Sequence, residues 1–211
     1  MRLPPLLAVD TAHRRFSVAL AWEGKVFDAV EREPFRHVER LNAKVEELLE
    51  RAGASLCDLK GILITIGPGF FTSLRVSASF AKALNLACGI PIYGFNTLML
   101  MAVGLPDGKY LVSMDARKGQ LYAQTFSVEG GTPREDDTLP LGVYAPEDLK
   151  VLEERGYVPV GDPDGLLRAS NLLILYQHLK PPPLPPNFSP MYVRSPDAVV
   201  NLRRNLPKDP S

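Results

Sequence analysis

Leu6-Leu7-Ala8-Val9-Asp10-Thr11-Ala12-His13-Arg14-Arg15-Phe16-Ser17-Val18-Ala19-Leu20-Ala21-Trp22 is an apolar run, an aspartate, a short polar turn and a returning β-rich run. Four apolar residues in succession before Asp10 read as a buried strand. Thr11 to Arg15 is the turn and Phe16 to Trp22 the second strand. Glu23-Gly24-Lys25 turns the chain again, into a third strand from Val26 to Val30. Three antiparallel strands in a meander follow. The pattern restarts in the second half: Tyr110 to Met114 is a strand, Asp115 ends it, Ala116 to Gln120 is a turn and Leu121 to Phe126 returns. In both halves the returning strand begins six residues after the aspartate, at Phe16 and at Leu121. The repetition suggests two related lobes, residues 1–104 and 105–195, with 196–211 as a tail.

Between the two meanders the period changes from two to helical. Val38, Leu41, Val45, Leu48 and Leu49 share one face of a helix from Arg36 to Ala52, and Gly53 ends it. Gly61 to Ile66 is a buried strand. Gly67-Pro68-Gly69 turns it into a second helix from Thr72 to Cys88, stopped by Gly89 and Pro91. A short strand (Pro91 to Phe95) and a short helix (Thr97 to Val103) follow. Later elements are a helix from Pro146 to Arg155, a strand from Val158 to Val160, a helix from Asp164 to Leu179 and a last strand at Met191-Tyr192-Val193-Arg194. Six prolines between Pro181 and Pro190 make that stretch extended and non-helical.

Composition narrows the function classes. The 211 residues suffice for two lobes that each bury a core. Lys plus Arg and Asp plus Glu both number 24, which argues against a large basic nucleic-acid footprint on the chain as a whole. The apolar run ending at Val9 is too short for a signal peptide or a membrane span. Cys57 and Cys88 have no metal-ligand spacing and are too few for a disulfide scaffold, so both read as reduced thiols of a cytoplasmic protein.

A strand ending in aspartate before a polar turn can hold a phosphate or its magnesium, which makes Asp10, Thr11 and Asp115 candidates for nucleotide binding. The plainer alternative is that aspartate favours strand-to-turn junctions. Gly67-Pro68-Gly69 is no Walker loop, and a sharp turn that packs the helix on the sheet is its better reading. His13, His37 and His178 stand apart, with no second histidine at helical spacing and hence no metal pair. His13, among arginines, reads as solvated. His37 reads as a surface or capping residue. The second helix is unusual: from Leu74 to Ala87 its only charges are Arg75 and Lys82. A helix without a polar face needs cover on more than one side, from the second lobe or from another protein.

Val9-Asp10-Thr11, Gly67-Pro68-Gly69-Phe70-Phe71-Thr72-Ser73-Leu74-Arg75, Asp115-Ala116-Arg117-Lys118-Gly119-Gln120-Leu121-Tyr122 and Pro190-Met191-Tyr192-Val193-Arg194 occur in that order. Together they resemble the TsaB (YeaZ) family, and His37-Val38-Glu39 is similar to that family's His-Ser-Glu. The resemblance covers most of the chain except about 129–186. Phe70 or Phe71 and Ser73 stand where the family has Ser and Gly, and Val76-Ser77 where it has Ile-Gly. The related catalytic family, TsaD, carries Asn-His-Leu-Glu-Gly-His where this chain has Asn96-Thr97-Leu98-Met99-Leu100-Met101. Thr97 and Met101 are poor ligands for a hard or borderline metal, so the metal centre should be absent.

The resemblance implies an actin-like (ASKHA, ribonuclease H-like) α/β fold of two lobes. It implies a non-catalytic scaffold for a TsaD-type catalytic subunit, with a TsaE-type ATPase as a further partner. That assembly transfers threonylcarbamoyl to the adenosine beside the tRNA anticodon, and tRNA is met only within it. No membrane, no metal and no required cofactor is expected; weak ATP or ADP binding falls at the complex interface. The partner would meet the two helices at His37, Glu39, Leu41, Thr72, Ser73, Arg75, Ser77, Ala78 and Ala81, and the same surface would make a homodimer. The rival readings are a small ASKHA-fold kinase or ATPase using Asp10 and Asp115, and a peptidase, the historical label of the relatives.

Overall fold

The computed structural model describes residues 3–161 and 167–193. Strands β1 (Leu6–Asp10), β2 (Phe16–Trp22) and β3 (Lys25–Glu31) form the antiparallel meander that the sequence predicts. β4 (Gly61–Gly67) pairs parallel to β1, and β5 (Ile92–Asn96) parallel to β4. The first sheet therefore runs β3-β2-β1-β4-β5. The second sheet is built from β6 (Gly108–Asp115), β7 (Leu121–Glu129) and β8 (Thr132–Asp136) as a second antiparallel meander. β9 (Gly142–Tyr144) pairs with β7, and β10 (Val158–Val160) runs parallel beside β6. The order β8-β7-β6-β10 repeats β3-β2-β1-β4. A three-strand meander with a parallel strand beside its first member is the ribonuclease H-like arrangement. Two of them in tandem make the actin-like α/β fold expected from the sequence.

Helices fill the spaces between and outside the sheets. α1 (His37–Ala52) and α2 (Phe71–Cys88) lie on one face of the first sheet, over Leu7, Val9, Val18, Ile62 and Ile64. The alternate residues Leu6, Ala8 and Leu63 face the other way. They pack on α3 (Thr97–Met101) and α5 (Ser170–Leu179), which meet Tyr110, Val112, Met114 and Phe126 of the second sheet. α4 (Pro146–Glu154) covers the outer side of that sheet through Leu149 and Leu152. Strand β1 is thus buried on both faces, which is why its apolar run is unbroken. The central strands need cover on two sides, and the chain supplies five layers to give it.

The helix ends follow from backbone chemistry. α1 stops at Gly53, whose φ of 62° favours glycine; its N–H bonds to Glu50 O and that of Ala54 to Leu49 O. α2 stops in the same way at Gly89, with φ 68°. Several elements differ from the sequence reading, among them β9 and the 3-10 turn Leu56–Asp58, which it does not contain. β8 is a polar, proline-bearing segment that becomes a strand only through pairing with β7. α5 begins at Ser170 rather than Asp164, and residues 162–166 lie outside the described part. Met191 to Val193 is not a strand: Met191 N–H bonds once to Ile66 O, at 2.6 Å. Arg194 and the tail lie outside the described residues.

The proline-rich stretch returns to the first sheet. Leu184 N–H bonds to Ile92 O at 2.7 Å, and Phe188 is buried with the Lys82 ammonium 4.7 Å from its ring centre. Among the described residues no helix is long and apolar enough to cross a membrane.

The reading of Cys57 and Cys88 as reduced thiols is corrected. They form a disulfide, with Cα atoms 5.2 Å apart, that ties the 3-10 turn Leu56–Asp58 to the last residue of α2. A separation of 31 residues gives no sign of this pairing; the parallel β4 crossing brings the two ends together. Closing a loop of that length removes about 3.7 kcal/mol of chain entropy from the unfolded state. Thiol titration of the denatured, unreduced protein should therefore find no free thiol. Reductant, or Cys57→Ser, should lower stability by about 2–4 kcal/mol in denaturant unfolding.

Candidate functional site

Two turns meet at the carboxyl ends of β1 and β4. The β1–β2 turn carries Thr11 to Arg15, and the β4–α2 turn carries Gly67-Pro68-Gly69-Phe70. Phe70 N–H donates to Ala12 O at 2.9 Å, backbone to backbone. A β-carbon on Gly69 would stand 2.6 Å from Ala12 O, so only glycine permits the approach. One on Gly67, where φ is 127°, would stand 2.5 Å from Met191 O. Thr11 Oγ1 links onward into α2, donating to Ser73 O at 2.8 Å and lying within hydrogen-bond distance of Ser77 Oγ at 2.9 Å.

This closure seals Asp10. Its side chain is fully buried; Oδ1 accepts from Thr65 Oγ1 at 2.7 Å and from Ala12 N–H at 3.3 Å, and Oδ2 has no partner. Burial pushes the carboxyl above its ordinary range, against the nearby His13 and His37 and the Thr65 hydroxyl, which pull it down. Both histidines differ from their sequence reading. His13 is 1% exposed rather than solvated, and His37 is 4% exposed, its ring 5.3 Å from that of Phe16. Burial holds the His37 imidazole below its usual value, although the backbone of His13 and Arg15 and the charge of Asp10 favour protonation.

A cavity of about 420 Å³ opens where the starts of α1 and α2 meet the β6–β7 turn. Its lining includes Phe35, His37, Phe70, Phe71, Asp115, Arg117, Tyr122 and Tyr192. Asp115 is exposed there, its Oδ1 accepting from Arg117 N–H at 2.7 Å in a local turn. Asp10 and Thr11 do not reach this cavity. The three residues read as a nucleotide site are therefore not brought together. The turn closes over two of them and leaves the third outside.

The outer face of α1 and α2 is the second feature. Of the nine residues expected to meet a partner, Leu41, Ser77, Ala78 and Ala81 are buried in the chain's own core, while His37 and Ser73, little exposed, line the cavity. That expectation is corrected for the first four: helical spacing identified apolar helices, but these residues face the sheet and the neighbouring helix. Glu39, Thr72 and Arg75 are at the surface. Beside Thr72 and Arg75 the exposed face carries Ser79, Ala83 and Leu86, 89% exposed, with Val38 of α1, 73% exposed. Val76 and Phe80 are half-buried beside them. The only sequence signal for this stripe was the scarcity of charge along α2.

The segment aligned with the catalytic histidine motif forms α3. Asn96 caps it, accepting from Leu98 N–H at 2.8 Å and donating to Gln124 Oε1 at 2.7 Å. Thr97 is buried with its hydroxyl unpartnered. Among the described residues no cluster of His, Cys, Asp or Glu could hold a metal.

Fold and site together define a two-lobed actin-like protein whose first-lobe aspartate is shut away and whose helical face is open. The model of the TsaD family, described as tRNA N6-adenosine threonylcarbamoyltransferase, matches residues 34–151. The TsaB of Escherichia coli K12, named as a tRNA threonylcarbamoyladenosine biosynthesis protein, is 37% identical over 121 residues, 56% of this chain and 52% of that protein. Its Buchnera aphidicola counterpart is 31% identical, over 56% of this chain and 58% of that protein. This chain thus spans about half the length of the curated relatives it matches. Among solved structures, a Pseudomonas aeruginosa protein described as similar to peptidase YeaZ superposes with a TM-score of 0.78 at 25% identity, over 91% of this chain and all of the other. YeaZ from the same organism gives 0.72 at 25% identity, over 90% of this chain and all of the other. The chain belongs to the TsaB/YeaZ branch of this threonylcarbamoyltransferase family.

Two predictions follow from the sealed carboxyl and its histidine. Asp10→Ala should lower stability by about 1–3 kcal/mol, because Thr65 loses its acceptor. Asp10→Asn keeps that acceptor and buries no charge, so it should cost less, as read by denaturant unfolding at neutral pH. His37 is held below 6.5, so between that value and its folded pKa the unfolded chain binds a proton that the folded one refuses. Stability should therefore fall as pH drops below 6.5, and His37→Gln should flatten that fall in thermal unfolding between about pH 5 and 7.

Proposed function

We propose that this chain is the scaffolding, non-catalytic subunit of an assembly that transfers threonylcarbamoyl to the adenosine beside the tRNA anticodon. It docks on a TsaD-type catalytic subunit through the outer face of α1 and α2. The observation that carries the reading is that face: Val38, Ser79, Ala83 and Leu86 are exposed and uncharged on two adjacent helices. Small side chains allow a partner helix to approach closely, and burial of Leu86 and Val38 would contribute about 1.5–3 kcal/mol each. The names of the TsaB relatives and the match to the TsaD family support the same assignment.

A TsaE-type ATPase joins the same assembly, and in the absence of the catalytic subunit two copies of this chain pair through the open face. No cofactor is required. Weak ATP or ADP binding belongs to the interface of the assembled complex, since Asp10 and Thr11 are out of reach of any ligand. The same burial weighs against a kinase or ATPase built on Asp10 and Asp115. The assembly works in the cytoplasm. A reducing cytoplasm opposes the Cys57–Cys88 bridge, so the thiol titration also bears on this setting.

Light scattering after size-exclusion chromatography, with and without a TsaD-type subunit from the same source, tests the reading. The wild type should co-elute with that subunit. Ser79→Glu and Ala83→Glu, both at the surface, should stay folded and fail to do so. Ala78→Glu should instead unfold the chain, because Ala78 is 5% exposed in the core. Co-elution that survives both surface charges would remove the helical face as the interface. No complex under any condition would sink the subunit reading.

A further inference from the structure

The chain is neutral overall, yet five arginines, Arg14, Arg15, Arg32, Arg36 and Arg40, fall within one short span of sequence. The fold gathers them at the start of α1. Phe35 N–H bonds to Arg14 O at 2.7 Å, and Arg15 Nε donates to Arg32 O at 2.8 Å. These contacts lock the β1–β2 turn against the segment that leads into the helix. Glu33 and Glu39 are both engaged by Arg36, at 3.2 and 2.6 Å. Among the described residues Arg14, Arg32 and Arg40 make no ion pair.

The placement opposes helix stability. Arg36 is the residue before α1 and Arg40 lies in its opening turn, where the unsatisfied N–H groups already carry partial positive charge. A cation there is disfavoured, and no side chain caps this end. Glu33 and Glu39 offset Arg36 at this end, and Glu39 lies in the opening turn itself. Arg14, Arg32 and Arg40 are the positive side chains left beside the helix start, an arrangement that can meet a phosphate.

Phe35 stands in the middle of it. The side chain is 62% exposed and the backbone has φ 62°, a region that bulky residues avoid. The Phe70 ring is 6.2 Å away, edge to face, and the Arg117 guanidinium lies 5.0 Å from the centre of that second ring. An exposed aromatic face among arginines suits an unpaired base, which stacks on the ring while its phosphates meet the guanidinium groups. An acidic protein segment would also use the arginines and could pack on the ring, so the two occupants are separated by experiment.

We propose that this surface is a contact site for RNA with unpaired bases, with Phe35 as the stacking platform and Arg14, Arg32 and Arg40 as phosphate contacts. The proposal rests on the assembly described above, whose substrate is a tRNA, and assigns part of the RNA contact to this chain rather than to the catalytic subunit alone. It also refines the conclusion from net charge: a neutral total conceals a local concentration of arginine.

The test uses the full chain and two labelled RNAs, a short stem-loop with an unpaired loop and a blunt duplex of matching stem. Fluorescence anisotropy is measured over a range of salt. The wild type should bind the stem-loop at low salt. The double variant Arg14→Glu, Arg32→Glu should bind both RNAs at least about tenfold more weakly and lower the salt slope by about two. Phe35→Ala should weaken the stem-loop about tenfold, leaving the duplex and the salt slope unchanged. All three substituted residues are exposed, so an unaltered melting temperature serves as the folding control. Absence of stem-loop binding by the wild type overturns the proposal, as does equal binding by all variants. If the double variant binds RNA normally but no longer co-elutes with the TsaD-type subunit, the surface is a protein-docking site and the proposal fails. Ser79→Glu separates the two readings: it should break co-elution and leave RNA binding by the isolated chain intact.

Discussion

The hydrogen bond from Phe70 N–H to Ala12 O is the contact on which the first lobe depends. It joins the turn after β1 to the turn after β4, and so fixes where α2 starts. It demands glycine at position 69, because the backbones approach too closely for a β-carbon. Thr11 extends the junction through hydrogen bonds to Ser73 O and Ser77 Oγ on the first turns of α2. Serines at these positions are therefore structural, and an apolar helix lies flush on the sheet through a few short polar links.

The same junction decides what the site can do. A carboxylate at the end of β1 in an open cleft would be free to hold a metal or a phosphate. Here the turn closes over it, and desolvation pushes the acid towards its neutral form. The bond from Thr65 and the neighbouring histidines offset part of that cost without opening a path to solvent. The carboxyl is thus enclosed, and the cavity beside it is lined by aromatic rings and by Asp115 of the other lobe.

Two surfaces are left open by the arrangement, and they differ in kind. The outer stripe of α2, with Val38 of α1 beside it, is mostly small or apolar and carries Arg75 as a charge, suited to another packed helix. The arginine-rich start of α1 is charged and carries an exposed ring, suited to a polyanion. Both belong to the same pair of helices, so a helix-bound partner and a bound RNA would lie side by side.

The sequence by itself determined the first meander, the first two strands of the second, the helices on the first sheet and the family. Each is local: Leu6 to Val9 is continuous because β1 is covered on both faces, and Gly53 and Gly89 mark helix ends wherever the chain goes next. The repeated aspartate-and-turn pattern also exposed the duplication of the two sheets. Other features were legible only in three dimensions. Whether Ala78 or Ala83 faces outward depends on how α2 is rotated against the sheet, which the junction at Ala12 sets and which a helix without a polar face does not reveal. His13 and His37 look solvent-facing beside charged neighbours, yet the packed turns enclose both. Cys57 and Cys88 are paired by a parallel crossover that no spacing records. The arginines average out in the composition and become a patch only when β1–β2 and the start of α1 are brought together. Periodicity reports which residues share a face of their own element; only the packing of elements against one another decides which faces are left for a partner.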